Sequence, residues 1–143
     1  TMLTGDPKYK KTADLASEAL FNHKSPINLV GNHIDTKTGK WIATESGIGG
    51  AIDSYFEYLV KASILFKESR YFEQYKVLKQ AIDTYAKVTE NNNSQENKKF
   101  IQGLYYQVNM NTGQTVDYNM ESLSAFLPGD LLQQTSSLRA RPQ

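Results

Sequence analysis

Two amphipathic helices in immediate succession constrain this chain more than any other feature. From Ile52, apolar and aromatic residues recur by threes and fours, through Tyr55, Phe56, Leu59 and Phe66, with Ser63 in register. That spacing is the signature of one helical face. Asp53, Glu57 and Lys61 step by four along another face. A second stripe follows at once: Tyr71, Tyr75, Leu78, Ile82 and Tyr85. The pattern predicts helices over 52–67 and 71–88, joined by a break short enough to fold them back as an antiparallel helical hairpin.

The flanking segments alternate in character. Asp6-Pro7 is a helix start, with an acid to cap free N–H groups and a proline that needs no donor. Tyr9, Ala13, Ala16, Leu20 and His23 then follow at helical spacing, predicting a helix over 6–23. Ile27, Leu29 and Val30, the turn Asp35-Thr36-Lys37-Thr38-Gly39, and Trp41-Ile42 predict a β-hairpin over 28–44. Gly47-Ile48-Gly49-Gly50 separates it from the helical pair. Residues 89–99 are polar and read as a loop. A second hairpin is predicted over 104–118, around Asn111-Thr112-Gly113, and an apolar helix from near Met120 toward Phe126. Each hairpin has a Thr-Gly turn and precedes a helix with an early acid (Asp53, Glu121), a loosely matched internal repeat. Periodicity is lost from Gln133 to Gln143, which reads as a disordered or foreign end.

Composition removes several classes of function. Charged residues make up 22% and nearly cancel, for a formal net charge of +1; nucleic-acid binding calls for clustered basic surface. There is no cysteine, so a disulfide scaffold, a thiolate zinc site and a catalytic thiol are excluded. No stretch approaches the ~18 apolar residues of a membrane span, and no signal-peptide pattern stands at the N-terminus. Thr1-Met2-Leu3-Thr4-Gly5 reads as the end of a helix and its turn, so the chain is expected to start inside a longer one. As part of a larger fold, it is expected to leave apolar surface from Tyr55, Phe56, Leu59, Phe72 and Tyr75 incompletely covered.

The residues able to carry chemistry are few. The glycine cluster at 47–50 lacks the spacing and the following Lys-Ser/Thr of a phosphate loop. Asp53 and Glu57 share a helical face. They are either a solvated pair, with Glu57 bound to Lys61 one turn on, or two carboxylates at the mouth of a pocket for sugar, water or metal. His23 and His33 have no carboxylate at ligand spacing, so no metal site is expected on them. Trp41 is either a sugar platform or a hairpin core residue. Asn92-Asn93-Ser94 is an N-glycosylation sequon in the polar loop.

Together these motifs resemble a known family. Gly49-Gly50-Ala51-Ile52-Asp53-Ser54-Tyr55-Phe56-Glu57-Tyr58-Leu59-Val60-Lys61 is similar to the signature with which glycoside hydrolase family 47, the class I α-1,2-mannosidases, opens a helix. Leu29-Val30-Gly31-Asn32 and Thr38-Gly39-Lys40-Trp41 resemble the hairpin before it. Val108-Asn109-Met110, Thr112-Gly113 and Glu121-Ser122-Leu123-Ser124-Ala125-Phe126-Leu127-Pro128-Gly129 resemble a further hairpin and helix. The resemblance covers residues 1–130, as a partial catalytic domain, and leaves 131–143 as a divergent tail.

What the resemblance implies is specific. The fold would be mainly α, part of an (α/α)7 barrel with short β-hairpins between helical hairpins. The activity would be inverting hydrolysis of α-1,2-linked mannose on high-mannose N-glycans, with bound Ca²⁺, in the lumen of the endoplasmic reticulum. By motif match Asp53 and Glu57 would be the catalytic carboxylates, and Leu123 with Glu121 would lie in the sugar-binding site. The family's other glutamates and its Ca²⁺-binding Thr fall on segments this chain lacks, so it would be inactive alone. Where the processing mannosidases carry Arg and His this chain has Ala51 and Ser122, which is similar to the degradation-enhancing branch. Two other readings remain at this point: a non-catalytic, lectin-like mannose binder of the same pathway, and a helical scaffold that binds a peptide.

Overall fold

In the computed structural model, residues 1–89, 103–119, 121–126 and 129 are described. The polar loop with its sequon, Met120 and the divergent tail lie outside the described residues. The described residues form three α-helices, two small antiparallel sheets and a short 3-10 helix.

Helix α1 spans Lys8–Asn22. It begins two residues later than expected: Pro7 occupies the N-cap and not the first helical position, while Asp6 Oδ1 accepts the Lys8 N–H at 2.9 Å. Helix α2 spans Asp53–Phe66 and helix α3 spans Ser69–Tyr85. Lys67 turns the chain between them in the left-handed region, with φ 56°, a common way to end a helix. Both apolar stripes predicted from sequence face each other. Phe56, Leu59, Val60 and Ser63 of α2 are buried against Tyr71, Tyr75, Leu78, Ala81 and Ile82 of α3. Phe56 meets Tyr75 edge-on, with ring centres 6.3 Å apart, and the Phe72 ring is stacked parallel to Tyr75 at 6.1 Å. Such aromatic geometries add to the stabilisation from area burial alone.

The helix predicted to Val88 ends earlier. Ala86 caps α3, Lys87 bridges to Tyr105, and the Val88 N–H donates to the Leu104 carbonyl at 2.7 Å. Pairing with the returning chain takes over the backbone donors that a longer helix would have used.

The first hairpin joins β1 (His33–Ile34) to β2 (Trp41–Ala43), with His33 opposite Ala43 and Ile34 opposite Trp41. The second joins β4 (Gln107–Asn109) to β5 (Thr115–Asp117). Its sheet has a third member that sequence reading missed: β3 (Glu45–Ser46), which pairs Glu45 with Asn109 and Ser46 with Val108. A two-residue strand has no periodicity to read. Its effect is large, because it stitches the chain between the first hairpin and α2 onto the second hairpin and leaves Ser46 and Val108 fully buried.

The two hairpin turns are the same structure built twice. In the first, Asp35 Oδ1 accepts the Lys37 N–H and the Gly39 N–H reaches the Asp35 carbonyl. In the second, Asn109 Oδ1 accepts the Asn111 N–H and the Gly113 N–H reaches the Asn109 carbonyl. Asp and Asn serve alike because either side chain can mimic a backbone carbonyl in a turn. The repeat suspected from the Thr-Gly pairs is therefore present in the hydrogen bonds.

Two expectations need correction. The segment predicted as an apolar helix toward Phe126 is the 3-10 helix Ser122–Phe126. The apolar surface left open is also not where it was expected, since Phe56, Leu59 and Tyr75 are buried and Tyr55 and Phe72 partly so. On the α-helices the open large apolar side chains are Tyr9 and Leu15 of α1 and Tyr58, Ile64 and Leu65 of α2. The reason is that α2 and α3 satisfy each other, while α1 fully buries none of its residues. Between α1 and α2 lies a mostly apolar groove of about 350 Å³, lined by Ala13, Leu20, Tyr55, Tyr58, Ala62 and Phe66 among others.

Ionic contacts hold α1 to the helical pair. Asp14 binds Lys10 at 2.8 Å and Arg70 at 2.6 Å, and accepts the Tyr71 hydroxyl. Burial alone would raise the Asp14 pKa, but the hydrogen bonds from Lys10, Tyr71 and Arg70 outweigh it and hold the carboxyl at about 2.

Candidate carbohydrate site

The site is built around the loop that leads from β3 into α2. Ser46 enters from the sheet, fully buried. The chain then runs through Gly47-Ile48-Gly49-Gly50-Ala51, with Ile48 and Ile52 inserted into the core. The Gly49 carbonyl accepts the Asp53 N–H at 3.0 Å, which starts the helix. Ala51 has φ 75°, a left-handed conformation that costs a residue with a Cβ about 1–2 kcal/mol. Strain of this kind persists where the surroundings over-determine the backbone.

Glu121 supplies much of that constraint. Its Oε2 accepts the Gly50 N–H at 2.6 Å, and its Oε1 accepts the Gln107 side-chain amide. The approach depends on glycine, since a Cβ at Gly49 would lie 2.1 Å from Glu121 Oε2. Leu123 follows on the 3-10 helix, 53% exposed, with its Cδ1 3.4 Å from where a Gly50 Cβ would be. Glu121 and Leu123 are thus both brought to the glycine loop. Glu121 reaches it with both oxygens engaged by protein donors.

Asp53 lies in the first turn of α2, partly exposed, where the helix dipole favours a negative charge. Glu57 is one turn further along. Its side chain is 18% exposed and forms an ion pair with Lys61, so the bond foreseen for a solvated pair is made at a largely covered position. The Lys61 ammonium also lies 5.4 Å from the Tyr58 ring centre. Asp53 and Glu57 stand on one helix, about 6 Å apart along its axis.

Trp41 and His23 have structural partners. Trp41 donates its indole N–H to the His23 carbonyl at 2.7 Å, which fixes the first hairpin on the end of α1. The His23 ring Nδ1 lies 2.7 Å from the Ala19 carbonyl. Among the described residues no three His, Asp or Glu side chains converge to hold a metal ion. Sequence reading missed Gln107, whose role appears only when the second hairpin is folded against Glu121.

A match to the model of glycosyl hydrolase family 47 runs over residues 1–142. The chain belongs to this family. Among its relatives is human ER degradation-enhancing alpha-mannosidase-like protein 2, 38% identical over 127 residues, or 89% of this chain and 20% of the relative. An alpha-mannosidase I of Arabidopsis thaliana is 34% identical over 128 residues, again 89% of this chain and 20% of that protein. The ER degradation-enhancing alpha-mannosidase-like protein 1 of Schizosaccharomyces pombe is 34% identical over 132 residues, covering 92% of this chain and 15% of its own length. The chain therefore spans a fifth or less of the length of these family members. Its three helices and small antiparallel sheets are consistent with a mainly helical portion of a family 47 domain. No described helix is long and apolar enough to cross a membrane.

Proposed function

We propose that this chain is part of an α-1,2-mannosidase that trims mannose from high-mannose N-glycans in the lumen of the endoplasmic reticulum, in the disposal of misfolded glycoproteins. Family membership and relatives named as ER degradation-enhancing mannosidase-like proteins support the reading. The single observation that carries it is the setting of Asp53, at the N-terminus of α2 directly below a glycine loop that Glu121 holds in place.

Inverting hydrolysis breaks the glycosidic C–O bond while water attacks the anomeric carbon from the opposite face. One carboxyl protonates the departing oxygen and another takes a proton from the water, so the two must face each other across ~6.5–9.5 Å. Asp53 is assigned as one of these groups, with Glu57 beside it. Sharing one side of one helix, the two do not flank a sugar. The opposing carboxyl comes from a segment outside this chain, on the other side of an (α/α)7 barrel to which this chain contributes α1, α2 and α3. The open groove between α1 and α2 supports such further packing. Ca²⁺, which takes about 6–8 oxygen ligands, is not fitted by the described residues.

The test is mannose release from a high-mannose N-glycan by the full-length protein, with Ca²⁺ present and after chelation. Replacing Asp53 with Asn keeps the shape and removes the charge. Turnover should fall about 10²–10⁴-fold, the usual worth of a positioned acid or base. Unchanged turnover in that variant would show that Asp53 serves only its helix. Glycan binding without release by the wild-type protein would favour the lectin-like role instead.

A further inference from the structure

We propose that Glu121 is a positioning residue for Asp53: its carboxylate, bridging the Gly50 N–H and the Gln107 amide, fixes the loop from which α2 starts and so aims Asp53 without touching the sugar. The inference rests on the mannosidase reading of Asp53 and assigns Glu121 a different part from the sugar contact that motif matching implies.

Three observations converge on it. Both carboxylate oxygens are engaged, one by Gly50 at 2.6 Å and one by Gln107. A charged acceptor for a backbone N–H makes a short, strong bond, here across 71 residues of sequence. Next, Gly49 leaves room for no side chain, because a Cβ there would stand 2.1 Å from the same oxygen. Finally, the loop is strained at Ala51, with φ 75°, and tied on both sides of that strain. Glu121 binds the residue before Ala51, and the Gly49 carbonyl binds the Asp53 N–H two residues after it. Without Glu121, Ala51 can relax and the first turn of α2 loses its fixed entry. A displacement of about 1 Å in a reacting group is enough to cost ~10²-fold in rate.

The carboxylate is also the right group for the place. It lies at the positive end of the α2 dipole, where a negative charge is favoured. Gln at the same position could still accept the Gly50 N–H through its carbonyl, while its amide donates to a flipped Gln107. Ala could do neither.

The experiment compares the full-length wild-type protein with Glu121→Ala, Glu121→Gln, Gly49→Ala and the double variant Gly49→Ala/Glu121→Ala, with Asp53→Asn as the control for the reading itself. Each is assayed for kcat and KM in mannose release from a high-mannose N-glycan. Positioning predicts that Glu121→Ala lowers kcat about 10–10²-fold and moves KM less than about threefold, while Glu121→Gln stays within about threefold of wild type. Gly49→Ala, which leaves Glu121 in the chain but drives it off the loop, should reproduce the loss. The double variant should be no worse than either single one, since both break one interaction. If Glu121→Ala fails to fold, Gly49→Ala and Glu121→Gln carry the test. A rise in KM with kcat unchanged in Glu121→Ala would overturn the proposal in favour of a sugar contact, and Gln as inactive as Ala would overturn it in favour of proton transfer. Loss of activity in Asp53→Asn with all Glu121 and Gly49 variants fully active would sink the positioning role and leave the mannosidase reading standing. No turnover by the wild-type protein would remove that reading and this proposal together.

Discussion

The Tyr85 ring occupies the space where a side chain at Gly113 would begin: a Cβ there would be 2.4 Å from Tyr85 Cδ1. The first hairpin repeats the arrangement, with Gly39 against His23, whose ring Nε2 would be 2.5 Å from a Cβ. In each case a Thr-Gly turn presses its glycine onto a ring at the end of a helix, α1 for His23 and α3 for Tyr85. The glycines also have φ of 69° and 71°, so two independent penalties attach to any substitution.

Gly113→Ala is accordingly expected to destabilise the protein by about 2–4 kcal/mol, from overpacking against the ring and from the left-handed backbone. A urea unfolding midpoint checks it. Tyr85→Ala in the same background should remove the overpacking and leave the backbone cost, so the two substitutions are expected to be non-additive. Strict additivity would mean that the ring and the turn are not in contact.

Glu57→Gln should separate the ion pair from the site. An i,i+4 pair on a helix is worth about 0.3–0.5 kcal/mol, so the unfolding midpoint of the full-length protein should hardly move. Mannose release should nevertheless fall about 10²-fold if the charge beside Asp53 is used in the reaction. A variant with full turnover would return Glu57 to the role of a partner for Lys61.

The 143-residue chain by itself should release no mannose, because the carboxyl opposing Asp53 lies outside it. It should also bind a hydrophobic dye through the groove between α1 and α2 and the exposed Tyr58, Ile64 and Leu65, since open apolar patches of this kind are docking surfaces or aggregation sites. The full-length protein should bind much less. Clear turnover by the short chain would overturn the assignment of the opposing group, and a dye-silent short chain would mean that the groove closes on itself.

Acid should loosen α1. Asp14 titrates at about 2 instead of its ordinary 3.8 because Lys10, Tyr71 and Arg70 stabilise its charged form. A carboxyl with a lowered folded-state pKa contributes stability that is present above its unfolded value and lost as pH falls through the folded one. Its share should therefore be complete above about pH 4 and disappear toward pH 2. Protease sensitivity of the Lys8–Asn22 segment, measured with an acid protease across that window, should rise in the wild type. Asp14→Asn should be sensitive already at pH 5. An Asn variant as resistant as wild type at pH 5 would show that apolar contacts alone hold α1.

Much of the architecture was legible because it is local. Apolar stripes at Ile52–Phe66 and Tyr71–Tyr85, Asp6-Pro7, and the two Thr-Gly turns each state their structure within a few residues, and the three helices formed within three residues of their expected limits. Asp53 and Leu123 were singled out by the order of motifs along the chain, as the family resemblance implies. The strand Glu45–Ser46 was not, nor the end of α3 at Tyr85, since both are set by backbone partners far away: Val108 and Asn109 for the one, Leu104 and Tyr105 for the other.

The sequence by itself determined the helical pair, the paired hairpins and the family, because periodicity, turn chemistry and motif order are written in neighbouring residues. Only the tertiary structure decided what Glu121 does. A carboxylate in sequence is a charge with no direction; its meaning came from Gly50 and Gln107, 71 and 14 residues away, which folding brings within hydrogen-bond reach. Likewise only the fold decided which apolar side chains remain open, because α2 and α3 bury each other's stripes and leave α1 with a face that nothing among the described residues covers.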